Sequence, residues 1–186
     1  MAPRVKITKK EIIETAISLV RKEGSEAVNA RSIAAELGCS TQPIFSNFAT
    51  MEELHSALIE EVYGIYFSFL QNEVQGRKYP EYKAFGMAYT RFAREEKELF
   101  KLLFMCDKTT REQMPSTDFN ASIEMIMKAN GISRERAILV HLEMWACVHG
   151  IGTMLATSYL DLDEELISQM LSDVYQGVRA SITKEK

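Results

Sequence analysis

Residues 41–47 read Thr-Gln-Pro-Ile-Phe-Ser-Asn, and their side chains are the ones best suited to chemistry on a partner. The amide of Gln42 donates and accepts together, the pattern that matches the major-groove edge of adenine. Hydroxyls on Thr41 and Ser46, a second amide on Asn47 and apolar surface on Pro43 and Phe45 complete a set of groups that read base edges and phosphates. A second constellation, His141, Trp145 and His149, recurs every four residues on one helical face. A metal there would lack a third ligand at workable spacing, so none is expected. A histidine bonded to a backbone or side-chain oxygen is the plainer reading of His149, and contact with a bound molecule is the functional one. Nothing in the sequence resembles a nucleophile elbow, a P-loop or a dinucleotide fingerprint. The glutamates at 52, 53, 60, 61, 95 and 96 read as solvated helix faces. The expectation is therefore no enzyme and no cofactor.

Composition narrows the setting. The 186 residues hold 22 Lys plus Arg against 26 Asp plus Glu, a net charge of −4, which argues against nucleic-acid binding over the whole surface. The charge is uneven, however. Residues 1–50 hold seven Lys or Arg against five Glu, a surplus of two positive charges on a chain that is otherwise acidic. Arg4, Lys6, Lys9 and Lys10 form a basic arm with no acid among them. Cys39, Cys106 and Cys147 are odd in number and far apart, so no disulfide framework is expected and a cytoplasmic setting fits. From Ala137 to Tyr159 the only formal charge is Glu143, and the length suits a bilayer. The two histidines, two glycines and small polar residues in it fit a helix buried among other helices instead.

These residues need elements to position them, and the hydrophobic spacing is helical almost throughout. Ile12, Ile13, Ala16, Ile17 and Val20 define a first helix, with Thr8 and Glu11 as a capping box and Gly24 as its stop. Asn29 caps a short second helix carrying Ile33, Ala34 and Leu37, which ends at Gly38. Ser40 is expected to cap a third through Phe48, with Pro43 in its first turn. Thr50 opens a long helix to about Gln75 with Leu54, Leu58, Val62, Ile65 and Phe69 inward. Further helices are expected near 80–96, 97–106, 118–130, 133–158 and 163–183, with a loop over 107–117. The fold class is all-α with about nine helices. The two short helices joined across Leu37–Ser40 fit a helix-turn-helix. On pattern alone an ordinary helical hairpin with a polar surface fits as well.

The strings A-I-S-L-V-R-K-E-G, N-A-R-S-I-A-A-E-L-G-C-S, P-I-F-S-N-F and M-E-E-L, in this order within residues 8–62, resemble the N-terminal domain of TetR-type (tetracycline-repressor-like) transcriptional regulators. Trp145-Ala-Cys-Val-His149-Gly150 is similar to a W-x-x-x-H-G element in one subgroup. The resemblance implies an all-helical homodimer, with a DNA-binding domain over residues 1–50 and an effector-binding and dimerisation domain over 51–186. It implies a ligand-responsive regulator, most often a repressor, acting on double-stranded DNA at a palindromic operator. Thr41, Gln42, Pro43, Phe45, Ser46 and Asn47 would face DNA, with Lys6, Lys9, Lys10, Asn29 and Arg31 on phosphates. Three positions depart from the family pattern: Phe45 stands where a tyrosine usually contacts a phosphate, Met51 where a lysine is common, and Asn47 where a histidine or tyrosine is frequent. The alternative class is a helical ligand- or partner-binding protein with weakened DNA binding.

Of 17 aromatic residues, 11 lie between Tyr63 and Phe104. An aromatic stripe at helical spacing is usually core. In such a regulator it is also the candidate lining for an apolar or aromatic small-molecule effector, with Tyr66, Phe69, Tyr89, Phe92, Phe104, Met125, Trp145 and His149 expected near it. Small residues Ala146, Gly150, Thr153 and Thr157, with Leu166, Met170, Val174 and Val178, are expected to form a four-helix homodimer interface about a two-fold axis.

Overall fold

Helix α1 (Lys9–Glu23) begins at a closed capping box: the Thr8 hydroxyl accepts from the Glu11 N–H, and the Glu11 carboxylate accepts from the Thr8 N–H. It ends at Gly24, whose φ of 87° suits a residue without a Cβ. In this computed structural model, which describes residues 7–106 and 117–183, every regular element is helical. After α1 and a short 3₁₀ turn (Ser25–Ala27) come α2 (Ala30–Glu36), α3 (Gln42–Asn47), α4 (Met51–Gly76), α5 (Glu81–Glu95) and α6 (Lys97–Phe104). Helices α7 (Thr117–Asn130), α8 (Arg134–Ala156) and α9 (Glu164–Thr183) complete the described residues. Lys6 and positions 107–116 of the expected loop lie outside them.

The chain divides into two compact units, residues up to Phe67 with Glu96–Cys106, and Ser68–Glu95 with the remainder. In the first, α1 lies against α2, α3 and α6. Its core holds Ile12, Ala16 and Val20 from α1, Ile33 and Ile44 from α2 and α3, Leu54, Leu58 and Val62 from α4, and Leu99, Phe100 and Leu103 from α6. Arg21 joins α1 to the start of α6, its Nε and Nη2 donating to the two Glu96 carboxylate oxygens at 2.9 and 2.6 Å. Asn29 caps α2 by accepting from the N–H groups of Arg31 and Ser32. At the other end Gly38 (φ 62°) turns the chain out of the helix, with Cys39 N–H bonded to Ala34 O and Gly38 N–H to Ala35 O, a Schellman closure.

One cap differs from expectation. Helix α3 starts one residue later than a Ser40 cap allows: Thr41 is its N-cap, and no side chain bonds there. Pro43 is the physical reason, because it has no N–H for a capping oxygen to meet.

In the second unit α8 is central, packed on α5, α7 and α9. By length and composition α8 would cross a bilayer, but Ala137, Val140, Met144, Val148, Ile151 and Leu155 form its buried face within this unit. Ile123 and Ile126 of α7 join Ala137 and Val140 in a cluster that Tyr175 and Val178 of α9 cover. Gly86 permits close approach of α5: a Cβ there would lie 3.1 Å from Leu171 Cδ1 and 3.4 Å from Val148 Cγ2.

Candidate functional site

Helix α3 is held by Ile44 and Phe48, both buried, while Phe45 is 51% exposed and Gln42 and Ser46 face solvent. Internal bonds divide the rest of the expected set. The Ser46 hydroxyl donates to Gln42 O at 2.9 Å. The Asn47 amide is half-buried and donates to Pro43 O at 2.8 Å and to Ile7 O at 3.2 Å. Asn47 therefore ties the chain just before α1 to α3, and its donors do not face outward. The Asn29 side chain is likewise committed to its cap. Thr41, Gln42 and Arg31 make no side-chain hydrogen bond among the described residues, and Pro43 and Thr41 are half-exposed beside Gln42.

The two described lysines of the basic arm, Lys9 and Lys10, are paired. Lys9 Nζ lies 3.1 Å from the Glu53 carboxylate and 4.7 Å from the centroid of the Phe48 ring. Glu53 also accepts from the Ala49 N–H at 2.7 Å, and that bond with Lys9 holds its carboxyl below the usual carboxylate range. Lys10 reaches Glu14 at 3.8 Å in the open.

The expected effector residues fall in both units. In the first, Tyr66 meets Phe104 edge-on at 5.3 Å and Phe104 meets Phe100 at 5.2 Å. In the second, Phe69 meets Phe92 edge-on at 5.3 Å. Tyr89 is buried and its hydroxyl lies 2.8 Å from His149 Nδ1. Trp145 stacks on the His149 ring at 4.9 Å with a 10° tilt, yet is itself 45% exposed. Met125 is half-buried on α7. The W-x-x-x-H-G string thus has a local structural role: the tryptophan covers the imidazole and Tyr89 fixes it.

A second tyrosine–histidine contact, absent from the expected set, repeats the first. Tyr82 Oη lies 3.0 Å from His141 Nδ1. Burial pushes the Tyr82 phenol well above its ordinary range and the His141 imidazole below its own. In the Nε2–H tautomer of the neutral imidazole, the phenol donates and Nδ1 accepts.

The expected dimer residues split by face. Ala146 and Gly150 on α8 and Thr157 at its C-cap are exposed, in line with exposed Leu139 and Leu142, and Leu166 is exposed on α9. Thr153, Met170 and Val174 are half-buried. Val178 turns inward to the α7–α8 cluster, continuing the stripe Ile167, Leu171, Tyr175. Spacing alone did not separate the two faces of α9.

Comparison with known proteins agrees with this architecture. A family model described as the tetracyclin repressor-like C-terminal domain matches residues 82–174. No curated protein matches the sequence. Among solved structures, a protein of unknown function from Rhodococcus sp. RHA1 is similar at 20% identity with a TM-score of 0.74, covering 95% of this chain and 97% of that one. A TetR-like transcriptional regulator from Rhodococcus sp. RHA1 is similar at 12% identity with a TM-score of 0.69 and the same coverages of 95% and 97%. At these identities the two structures speak for the fold alone. The family match spans half of the 186 residues, so the chain belongs to the tetracyclin repressor-like family of transcriptional regulators.

Proposed function

We propose that this protein is a cytoplasmic, homodimeric repressor that leaves its operator when a small molecule binds the second unit. The observation that carries the DNA-binding half is the outer face of α3. Gln42 and Phe45 stand exposed there while Ile44 and Phe48 are buried, so the helix offers one amide and one phenyl ring to a groove. Gln42 reads an adenine edge, Thr41, Pro43, Phe45 and Ser46 line the contact, and Arg31, Lys10 and Lys9 take phosphates. Asn47 and Asn29 act from behind by fixing the arm and α2.

The exposed stripe of Leu139, Leu142, Ala146 and Gly150 on α8 and Thr157 at its C-cap, with Leu166 of α9, is the surface for a second copy. A two-fold pair places two recognition helices about 34 Å apart, one turn of DNA. The effector has an apolar or aromatic body and sits in the second unit near Phe69, Tyr89, Phe92 and Met125. Helix α4 couples the events because it carries Leu54 and Leu58 in the first unit and Phe69 and Leu70 in the second. A ligand releases DNA through it only by favouring the conformation that spaces the heads wrongly.

Selection from a random duplex pool tests this reading. The expected product is a palindrome with half-sites about one helical turn apart, bound by a dimer and lost on Gln42→Ala. A protein that enriches no sequence is instead a helical ligand-binding protein of the same fold.

A further inference from the structure

Arg94, in the last turn of α5, has two guanidinium nitrogens, Nε and Nη2, that are buried and have no hydrogen-bond partner among the described residues. Its face of the helix carries Met87 and Thr90, both buried, seven and four residues before it. The acids closest to it in sequence are taken. Glu95 accepts from Arg91 at 2.8 Å, Glu96 is held by Arg21 and Glu98 by Lys101, and Glu73 of α4 lies 3.6 Å from Arg91. Several other basic side chains of the second unit have polar partners: Lys78 meets Glu164, Lys83 meets Ser168 and Ser172, and Arg134 meets Asn120.

Nε and Nη2 form one edge of the guanidinium fork, with parallel N–H bonds at the spacing of two carboxylate oxygens. Arg21 uses that same edge, at 2.9 and 2.6 Å, on Glu96. Two buried donors on a permanently charged group are costly unless an acceptor pair meets them. We infer that Arg94 is the anchor for a carboxylate on the small molecule this regulator senses, so that the effector is an organic acid rather than a neutral compound. This rests on the effector-responsive reading above and adds its charge class. An apolar body remains compatible, since a carboxylate paired with an arginine is the form in which an acid is tolerated away from water.

The test uses the full chain without DNA, so its outcome is independent of operator binding. Acetate, benzoate and octanoate are compared with acetamide, benzamide and octanamide at matched ionic strength, with inorganic phosphate as a further arm. Thermal unfolding and the Arg94 Nε–H resonance are followed in wild type and in Arg94→Met, which keeps the length of the stem and removes the charge. The expected result is that at least one carboxylate raises the wild-type Tm by about 2–4 °C or more and shifts the Nε–H signal. Its amide does neither, and Arg94→Met does not respond. Without any additive, Arg94→Met is expected to unfold at a higher temperature than wild type, because an unmet buried charge is gone. The inference is overturned if no carboxylate moves the Nε–H signal, if amide and acid act alike, if phosphate alone acts, or if Arg94→Met responds as wild type does. A lower Tm for Arg94→Met without additive also overturns it, since that marks a structural role.

Discussion

Tyr89 and His149 are joined by a 2.8 Å contact between Oη and Nδ1, and Tyr82 and His141 repeat it at 3.0 Å, seven residues earlier on α5 and eight earlier on α8. Two such contacts in step require α5 and α8 to run in the same direction over that length, at about 1.5 Å per residue. They fix the register of the two helices in a way that apolar packing alone does not. Replacing Tyr89 by Phe removes the hydroxyl and leaves a half-buried ring nitrogen without it. The expected loss is about 1–2 kcal/mol in urea unfolding. No change in the urea midpoint would mean that the contact carries no net stability.

Acid should weaken the second of these pairs. Burial lowers the His141 pKa from its ordinary 6.5, so above that value both folded and unfolded chains hold it neutral. As the pH falls below 6.5 the unfolded chain takes up the proton first, and stability declines until the folded-state pKa is passed. Thermal unfolding from pH 7.5 downward is expected to show this decline, and His141→Gln to flatten it. A variant whose Tm tracks wild type across the same range would assign the decline to other groups.

Two residues of the helix-turn-helix separate positioning from reading. Gln42→Ala should cost about 1–3 kcal/mol on the selected operator and relax preference at one base pair per half-site, leaving random DNA unaffected. Asn47→Ala instead frees the Ile7 carbonyl and the arm behind it, so specific and random DNA should weaken together. Fluorescence anisotropy on both duplexes distinguishes the pair, and matching profiles for the two variants would erase the distinction.

Glycines at two places report on different contacts. A Cβ at Gly150 meets nothing within 4 Å in the chain, so Gly150→Leu should leave the fold intact and weaken self-association roughly ten- to a hundredfold by overpacking. Gly86→Val, crowding Leu171 and Val148, should cost about 1–3 kcal/mol in stability. Sedimentation and urea unfolding read the two effects. An unchanged dimer in the Gly150 variant would move the interface off this stripe.

Local features were legible in the sequence because their causes are local. Thr8, Asn29, Gly24 and Gly38 punctuate helices through bonds within a few residues, and all four act as expected. Ser40 was misread by one position, since the effect of a missing N–H at Pro43 is set by the helix start it was meant to predict. What the sequence hid lies in distant pairings. Asn47 looks like a base reader until its partner, 40 residues away, is known. Tyr82 and His141 are 59 apart, and no periodicity links them. Arg94 is one arginine among several until its neighbours are found to be committed elsewhere.

The pairing of Lys9 with Glu53 also shapes how DNA binding should respond to ionic strength. A lysine that moves from solvent to a phosphate displaces a condensed counterion from the duplex, and each such contact adds about 0.9 to the slope of log affinity against log salt. Lys9 begins from a carboxylate at 3.1 Å. When it turns to a phosphate, Glu53 is left to draw a cation of its own from solution. One ion leaves the DNA and another joins the protein, so this contact adds almost nothing to the slope. Glu53→Gln should therefore steepen the salt dependence by about one unit while strengthening binding most in dilute buffer.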